Sequence, residues 1–585
     1  MSTLPRRAAV CLLLSAGFVA AACGVGEGGG GGQAAAGAGG GEFCRTAMAR
    51  VDSFMATVPD TFTGDRYGGT AVVGGIGELV DGMNSVTSTD FGAQQNQNFV
   101  NLMTLVHYDE KLNPVPYLAK SWDVSKDDTE LTFHLRDDVR WHDGVPTSAY
   151  DVRFTYLRAT DPSTGFPNAA YWTYYVKGDS GVEVLDSTTV RFHMKPHAEF
   201  LDPWRATAIL PEHLLGDVPP AQLRQHPYGT VCPVGNGPFV FAEHRQDESW
   251  TFVANPDFPA ELGGRPYLDR YVYRIIPEQT TLLTDLLTGG VDVDLGVAPD
   301  AADRVENADQ VRLVTYPTRQ YNFVGWNARI PQLQQAAVRR AITYATDRKE
   351  MVDAIVKGYG RVANTSVPPF HWAYDPAFDS VMPYDPARAR QLLDSAGWKD
   401  RDGDGVRENA DGVPLELTVK YNTGNQQRQQ IAEIMQSQLR KVGIEIHPQS
   451  LEWATLVSQM TNTETRPIQG IVMGWVTDFA LNDRDLFDSD AADDPYGFAG
   501  LKVPAVDRLL DTLQLVPSRK QAIPLWRDYQ KLIIRYQPYT FLYFPEALTG
   551  VSRRIHDVKM DVRGYMIDTD RWWIPADQRK YQGSR

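Results

Sequence analysis

The chain has 585 residues, 43% of them apolar and 11% aromatic, which is ample for globular packing and too long for a single hydrophobic core. Its 57 Lys and Arg against 73 Asp and Glu give a net charge of −16; setting aside residues 1–22, which carry only Arg6 and Arg7, leaves 55 − 73 = −18. That balance argues against nucleic acid or an anionic membrane surface as a partner.

The N-terminus reads as a targeting segment. Arg6 and Arg7 make a positive start, and Ala8 to Ala20 an apolar core too short to cross a bilayer as a helix. Ala20-Ala21-Ala22-Cys23 resembles a bacterial lipobox, which predicts residues 1–22 as a signal peptide and Cys23 as the lipidated first residue of the mature protein; the alternative is an ordinary signal peptide with an incidental cysteine. Residues 24–41 are almost all Gly and Ala, so 23–64 is expected to be a lipidated tether with an N-terminal extension. No later apolar run is long enough for a membrane helix. Of the cysteines, Cys11 leaves with the signal and Cys23 carries lipid, so in an oxidising compartment Cys44 and Cys232 are expected to pair.

The folded part begins near Thr70. Ala71-Val72-Val73 reads as a strand, Gly74-Gly75 as a break, and Asn84, Ser85 and Thr87 fall in a polar loop. Leu131, Phe133 and Leu135 alternate with polar residues, a strand with one buried face. His142-Asp143-Gly144 is a tight turn, and Ser148 with Asp151 makes a capping-box pattern for the next helix. Tyr271 to Ile276 is a strand ending at Pro277, where the chain is expected to cross into a second lobe. Gln335 to Ala345 carries a helical stripe. Asp347 caps the following helix, and Asp385-Pro386 opens another that Gly397 closes. Leu415 to Tyr421, the helical face of Ile431, Ile434, Met435, Leu439 and Val442, and Ile444 to Ile446 form a β-α-β unit with parallel strands. Ile471 to Trp475 is apolar throughout, as a central strand buried on both faces should be. Gln514 to Arg535 reads as helix interrupted near Pro517 and Pro524, and Thr540 to Phe544 as a last strand returning to the first lobe.

Several strings, in this order, carry a resemblance. Ala119 to Tyr156 (AKSWDVSKDDTELTFHLRDDVRWHDGVPTSAYDVRFTY) is the longest. Leu210-Pro211-Glu212-His213, Gly235-Asn236-Gly237-Pro238-Phe239, Asn255-Pro256-Asp257-Phe258 and Gly264-Arg265-Pro266-Tyr267-Leu268-Asp269 follow. Then comes VRRAITYATDRKEMVDAIVKG from Val338. Together they resemble the family 5 extracytoplasmic solute-binding proteins, the peptide-, nickel- and oligosaccharide-binding lipoproteins that serve ABC importers. The resemblance implies an α/β, two-lobed periplasmic-binding-protein fold of type II-like, cluster C architecture, hinged between the lobes. Lobe I would be discontinuous, 65–276 with 537–585, and enlarged by a subdomain; lobe II would span 277–536.

Candidate chemistry is sparse. Asp400, Asp402 and Asp404, followed by Val406, Glu408 and Asp411, have the spacing of a calcium loop: alternate carboxylates converge on one hard cation, and Gly405 permits the turn. The alternative is a solvated surface turn; no cofactor is required, and any calcium would be structural. His193 and His197 flank Pro196, which forbids helical i, i+4 metal geometry. No HExxH, GxSxG or P-loop string occurs, so no enzyme activity is expected.

Gly474-Trp475-Val476-Thr477-Asp478 follows the buried strand and so lies at its carboxyl end, where open α/β sheets bind ligands. The resemblance implies that Asp478 clamps a ligand's α-amino group, with Trp475, Gly474 and Thr477 beside it and Trp453, Tyr543 and Asn84 completing the cleft. Packing in the core is the competing role for both tryptophans. Some peptide binders carry a basic residue just before the Gly-Trp pair; Val472 and Met473 stand there instead. The sequence therefore predicts a monomeric, exported binding lipoprotein, anchored by lipid to the outer face of the cell membrane. It would capture a peptide or similar solute for ABC permease subunits. The alternatives are another solute, such as a sugar or metal chelate, or a regulatory envelope lipoprotein of the same fold.

Overall fold

The computed structural model of the protein describes residues 38–580 apart from Asp81 and Thr89, and no side chains of residues 38–40. The expected signal peptide, Cys23 and the Gly/Ala run up to residue 37 lie outside the described residues. Where the tether was expected to continue, a helix spans Ala38–Met55. Ala47 and Val51, one turn apart, are buried against an aromatic core, and Cys44 is disulfide-bonded to Cys232 with Cα atoms 5.6 Å apart.

Lobe I is built on a mixed sheet. β1 (Thr70–Gly75) is followed by a ribbon of β2 (Val106–Tyr108) and β3 (Pro114–Pro116). A subdomain sheet then forms from β4 (Ala119–Val124), β5 (Glu130–Leu135), β6 (Val182–Asp186) and β7 (Thr189–His193), in the order β4-β5-β7-β6. The period of two in β5 is realised: Leu131, Phe133 and Leu135 are buried and their neighbours half-buried. The capping-box pattern holds too, since the Asp151 carboxylate accepts the Ser148 N–H at 2.8 Å and starts the helix Ala149–Thr160.

β8 (Phe239–Arg245), β9 (Ser249–Ala254) and β10 (Arg270–Ile275) form an antiparallel run, and β10 lies parallel to β1. The short β11 (Val293–Asp294) pairs with β1, and β12 (Val311–Pro317) completes this lobe. Lobe II contains β13 (Gln320–Trp326), β14 (Gly360–Val362), β15 (Glu416–Asn422), β16 (Glu445–Leu451) and β17 (Gly470–Val476). β16, β15 and β17 run parallel, as the β-α-β pattern requires, and β17 continues antiparallel to β13.

The last strand, β18 (Tyr539–Ser552), belongs to both lobes. Its first half pairs with β13 and β14 through Tyr539 to Pro545, and its second with β12 through Glu546 to Ser552. This moves both expected crossings. The chain does not leave lobe I at Pro277: the helix Gln279–Thr288 buries Leu282, Leu283 and Leu286 against Val72 and Leu548, and β11 and β12 pair inside the lobe I sheet. It leaves between β12 and β13, at Thr318 and Arg319. The return is likewise later than residue 537, because Thr540 to Phe544 pair within lobe II. The two crossings touch: the Thr318 N–H and hydroxyl both donate to the Pro545 carbonyl, at 3.2 and 2.9 Å.

The disulfide closes a loop with a sequence separation of 188, and restricting so long a loop in the unfolded chain is worth about 3–5 kcal/mol. Replacing Cys44 and Cys232 by serine is expected to lower the unfolding free energy by about that much and to expose the Ala38–Met55 helix to protease first. A chemical denaturation midpoint equal to that of the native protein would contradict it.

Candidate functional site

The parallel strands β15, β16 and β17 end on one edge of lobe II, and that edge faces lobe I. β17 is buried from Gly470 to Gly474, as its unbroken apolar run predicts, and becomes half-buried at Trp475 and Val476. A Cβ on Gly474 would come 2.7 Å from Gln320 Nε2, so the missing side chain makes room for the polar side chains of β13. Trp475 is half-buried; its ring lies 5.9 Å from Phe323 and meets the edge of Tyr496 at 6.1 Å. Trp453 opens the helix Trp453–Thr461 beyond the end of β16, with the Arg428 guanidinium 5.5 Å from its ring.

Thr477 serves the hinge. Its N–H and its hydroxyl both donate to the Arg319 carbonyl, at 2.7 and 2.8 Å, fixing the end of β17 against the first crossing. The next residue, Asp478, keeps 52% of its side-chain surface open, although protein encloses it closely enough for burial to raise its carboxyl pKa, opposed chiefly by the nearby Arg319 cation. Arg319 is only 9% open and approaches Asp478 Oδ1 with Nη1 at 3.5 Å; burial lowers its own pKa and Asp478 opposes that shift. Phe479, buried beside them, carries an arginine on each flank: Arg319 at 5.3 Å and Arg205 of lobe I at 4.7 Å from its ring centre. Arg205 is paired with Asp202 at 2.8 Å.

A seam joins the lobes next to this cluster. Glu199 of lobe I takes two hydrogen bonds from Arg519 of lobe II, at 2.5 and 2.9 Å, and Arg519 also donates to the Leu112 carbonyl at 2.8 Å. The Tyr175 hydroxyl donates to the Gln514 carbonyl at 3.2 Å, and Tyr108 packs on Phe479 with ring centres 5.7 Å apart. The boundary between the lobes is thus charged, with carboxylates and guanidinium groups from both meeting across it.

Two expected cleft residues are elsewhere. Tyr543 is fully buried in the lobe II core, where β18 packs under the helices, and its hydroxyl has no partner among the described residues. Asn84 is 1% exposed and engaged locally: its Nδ2 donates to the Leu223 carbonyl at 3.2 Å and its Oδ1 accepts the Val86 N–H at 3.3 Å. A strand position and a polar loop look alike in sequence whether they face a cleft or a core. The sequence reading missed Arg319, Arg205, Asp202, Phe479, Glu199 and Arg519. Glu199, Asp202 and Arg205 lie close together in one stretch and Phe479 follows Asp478, but these segments, Arg319 and Arg519 are far apart in the chain, and no sequence spacing links one to another.

The acidic turn at 400–411 is exposed and gathers fewer ligands than its spacing suggests. Asp400, Asp402 and Glu408 bring carboxylate oxygens within 4.8 Å of one another, while Asp404 and Asp411 stand outside that group. Asp400 accepts the N–H groups of Gly403 and Gly405 at 2.7 and 3.1 Å, and Asp404 turns to the Val406 N–H at 2.7 Å. Three convergent carboxylates fit a hard cation in chemistry, but the set is smaller than the six residues of the pattern.

Comparison with known proteins accords with this architecture. The profile of the bacterial extracellular solute-binding proteins, family 5 (middle region), matches residues 113–493. The oligopeptide-binding protein AppA of Bacillus subtilis is 32% identical over 517 residues, 87% of this chain and 92% of its own. The solved structure of that protein, in complex with a nonapeptide, superposes with a TM-score of 0.71 at 31% identity, covering 87% of this chain and all of the other. Heme-binding protein A of Haemophilus influenzae is 28% identical over 506 residues, 82% of this chain and 87% of its own. With two lobes crossed twice by the chain and a charged cleft at the ends of the parallel strands, the chain belongs to the family 5 bacterial extracellular solute-binding proteins.

Proposed function

We propose that this protein captures a peptide with a free amino terminus between its lobes and delivers it to the permease of an ABC importer. Asp478 carries the reading. It is a half-open carboxylate at the carboxyl end of a central strand, where lobe II meets lobe I, and its ion-pair contact among the described residues, with Arg319, is long. A ligand ammonium group would complete that pair, and closure of the lobes would exclude water from it. The similarity to a peptide-binding relative supports the ligand class. The similarity to a heme-binding one keeps other solutes as outcomes of the test. Glu199, Arg519, Tyr108 and Phe479 would hold the closed form, so that binding shifts the protein toward it.

In calorimetry, Asp478→Ala is expected to weaken binding of a short unblocked peptide by about 2 kcal/mol, roughly thirtyfold, the low end for a truncated buried charge because half the carboxylate is open. An N-acetylated peptide should lose a similar amount on the native protein, and the two losses should not add. Burial raises the Asp478 carboxyl, so on acidification it takes up its proton above the usual carboxylate range, and peptide affinity should fall there in the native protein but not in Asp478→Ala. The sign for stability is opposite: a carboxyl raised in the folded state favours folding at low pH, and that contribution is lost as pH rises through its folded value. Full affinity in Asp478→Ala would remove the clamp.

The lipobox-like Ala20-Ala21-Ala22-Cys23 supports attachment to the outer face of the cell membrane. Cys23→Ser should release the protein into the soluble fraction; membrane retention in that variant would contradict anchoring at Cys23. We further propose that the turn of Asp400, Asp402 and Glu408 takes calcium in a structural role, supported by their convergence. Millimolar calcium should raise the melting temperature and a chelator reverse it; a melting temperature indifferent to both would leave a plain surface turn.

A further inference from the structure

The Arg319–Asp478 contact is looser than the two-pronged ion pairs buried elsewhere in the molecule. Arg554 grips Asp292 with two hydrogen bonds of 2.6 Å, and Arg519 grips Glu199 at 2.5 and 2.9 Å. Arg319 reaches Asp478 through one nitrogen, at 3.5 Å, a distance at which little hydrogen bonding remains. Among the described residues, neither group is saturated. The carboxylate is half open, and a guanidinium carries five N–H donors, of which this contact occupies one.

Arg319 is nonetheless held in place. Its guanidinium lies 5.3 Å from the ring centre of Phe91 of lobe I and 5.3 Å from that of Phe479 of lobe II. Its carbonyl is fixed by both the N–H and the hydroxyl of Thr477. A planar cation between two aromatic rings, on a backbone tied to the end of β17, loses little further entropy when it donates to a ligand. Its position in the first crossing puts it at the base of the cleft, next to the carboxylate that would receive an ammonium group.

An acceptor and a donor this close, both unsaturated, suit a ligand whose cation and hydrogen-bond acceptor are equally close. The first residue of a peptide is such a group: its α-ammonium nitrogen and its carbonyl oxygen are separated by one Cα and one carbonyl carbon. We propose that Arg319 and Asp478 act as one receptor for the ligand's first residue, Asp478 taking the α-ammonium group and Arg319 donating to the adjacent carbonyl oxygen. This rests on the peptide reading above and adds the requirement that the amine be α to the carbonyl.

The test compares trialanine with the same peptide carrying β-alanine first, which inserts one methylene between amine and carbonyl, on the native protein and on Arg319→Met and Arg319→Lys. On the native protein the β-alanine peptide should bind at least about tenfold more weakly, as for a lost hydrogen bond to a charged donor. In Arg319→Met the two peptides should bind alike, and Arg319→Lys should restore part of the difference. Matching melting temperatures show that the variants fold. An undiminished β-alanine penalty in Arg319→Met overturns the proposal while leaving the Asp478 clamp standing. If trialanine does not bind the native protein at all, the peptide reading fails instead. Arg319 is then judged by native mass spectrometry of the solute that co-purifies: reduced retention in Arg319→Met keeps it as a ligand contact, and equal retention removes it.

Discussion

One strand constrains the whole molecule. Tyr539–Ser552 gives its first half to the lobe II sheet and its second half to the lobe I sheet, so the lobes share a continuous backbone ladder. The only other described crossing in the sheet path, at Thr318 and Arg319, is hydrogen-bonded to it at Pro545. Two adjacent crossings joined side by side permit bending about their common line and resist twisting or sliding. A hinge of this kind opens and closes a cleft while keeping its two walls in register, which a solute-binding protein requires.

The electrostatics of the cleft follow from that register. Asp202 and Arg205 belong to one wall, Asp478 to the other, and Arg319 to the hinge between them. Burial raises the Asp478 carboxyl and lowers Arg319, each shift opposed by the other group, whereas at Arg205 burial is outweighed by the neighbouring carboxylates, which raise its pKa. The Glu199–Arg519 pair adds an attraction between the lobes that exists only when they meet. Breaking it exposes two charges to water, which recovers much of the lost interaction, so the seam biases closure without making it irreversible.

Much of the fold was legible because local chemistry and tertiary context agreed. Asp347 and Asp385 cap their helices, accepting the N–H groups of Glu350 and Arg388 at 3.0 and 2.8 Å. The alternation in β5 and the unbroken apolar run of β17 report burial on one face and on two. Pro524 misled in the other direction. It sits inside the helix Arg519–Tyr536, close enough to its start that the lost hydrogen bond does not end it. The lobe boundaries were not legible, since which sheet a strand joins depends on residues hundreds of positions away. The site was half legible: Gly474 to Asp478 could be placed from the strand before them, whereas Arg319 and Arg205 acquire their roles only through the rings of Phe479, Phe91 and Tyr108.

The disulfide also has a mechanical meaning. The Ala38–Met55 helix is bonded through Cys44 to Cys232, deep in lobe I and far along the chain from either crossing. Tension applied to the residues before it is therefore carried by a covalent link into one rigid body and bypasses the hinge. Among the described residues the backbone passes between the lobes at Thr318–Arg319 and within Tyr539–Ser552, so with lobe I held, lobe II would be the part that swings. A pull on the N-terminus would then load lobe I and leave the cleft free to open or close.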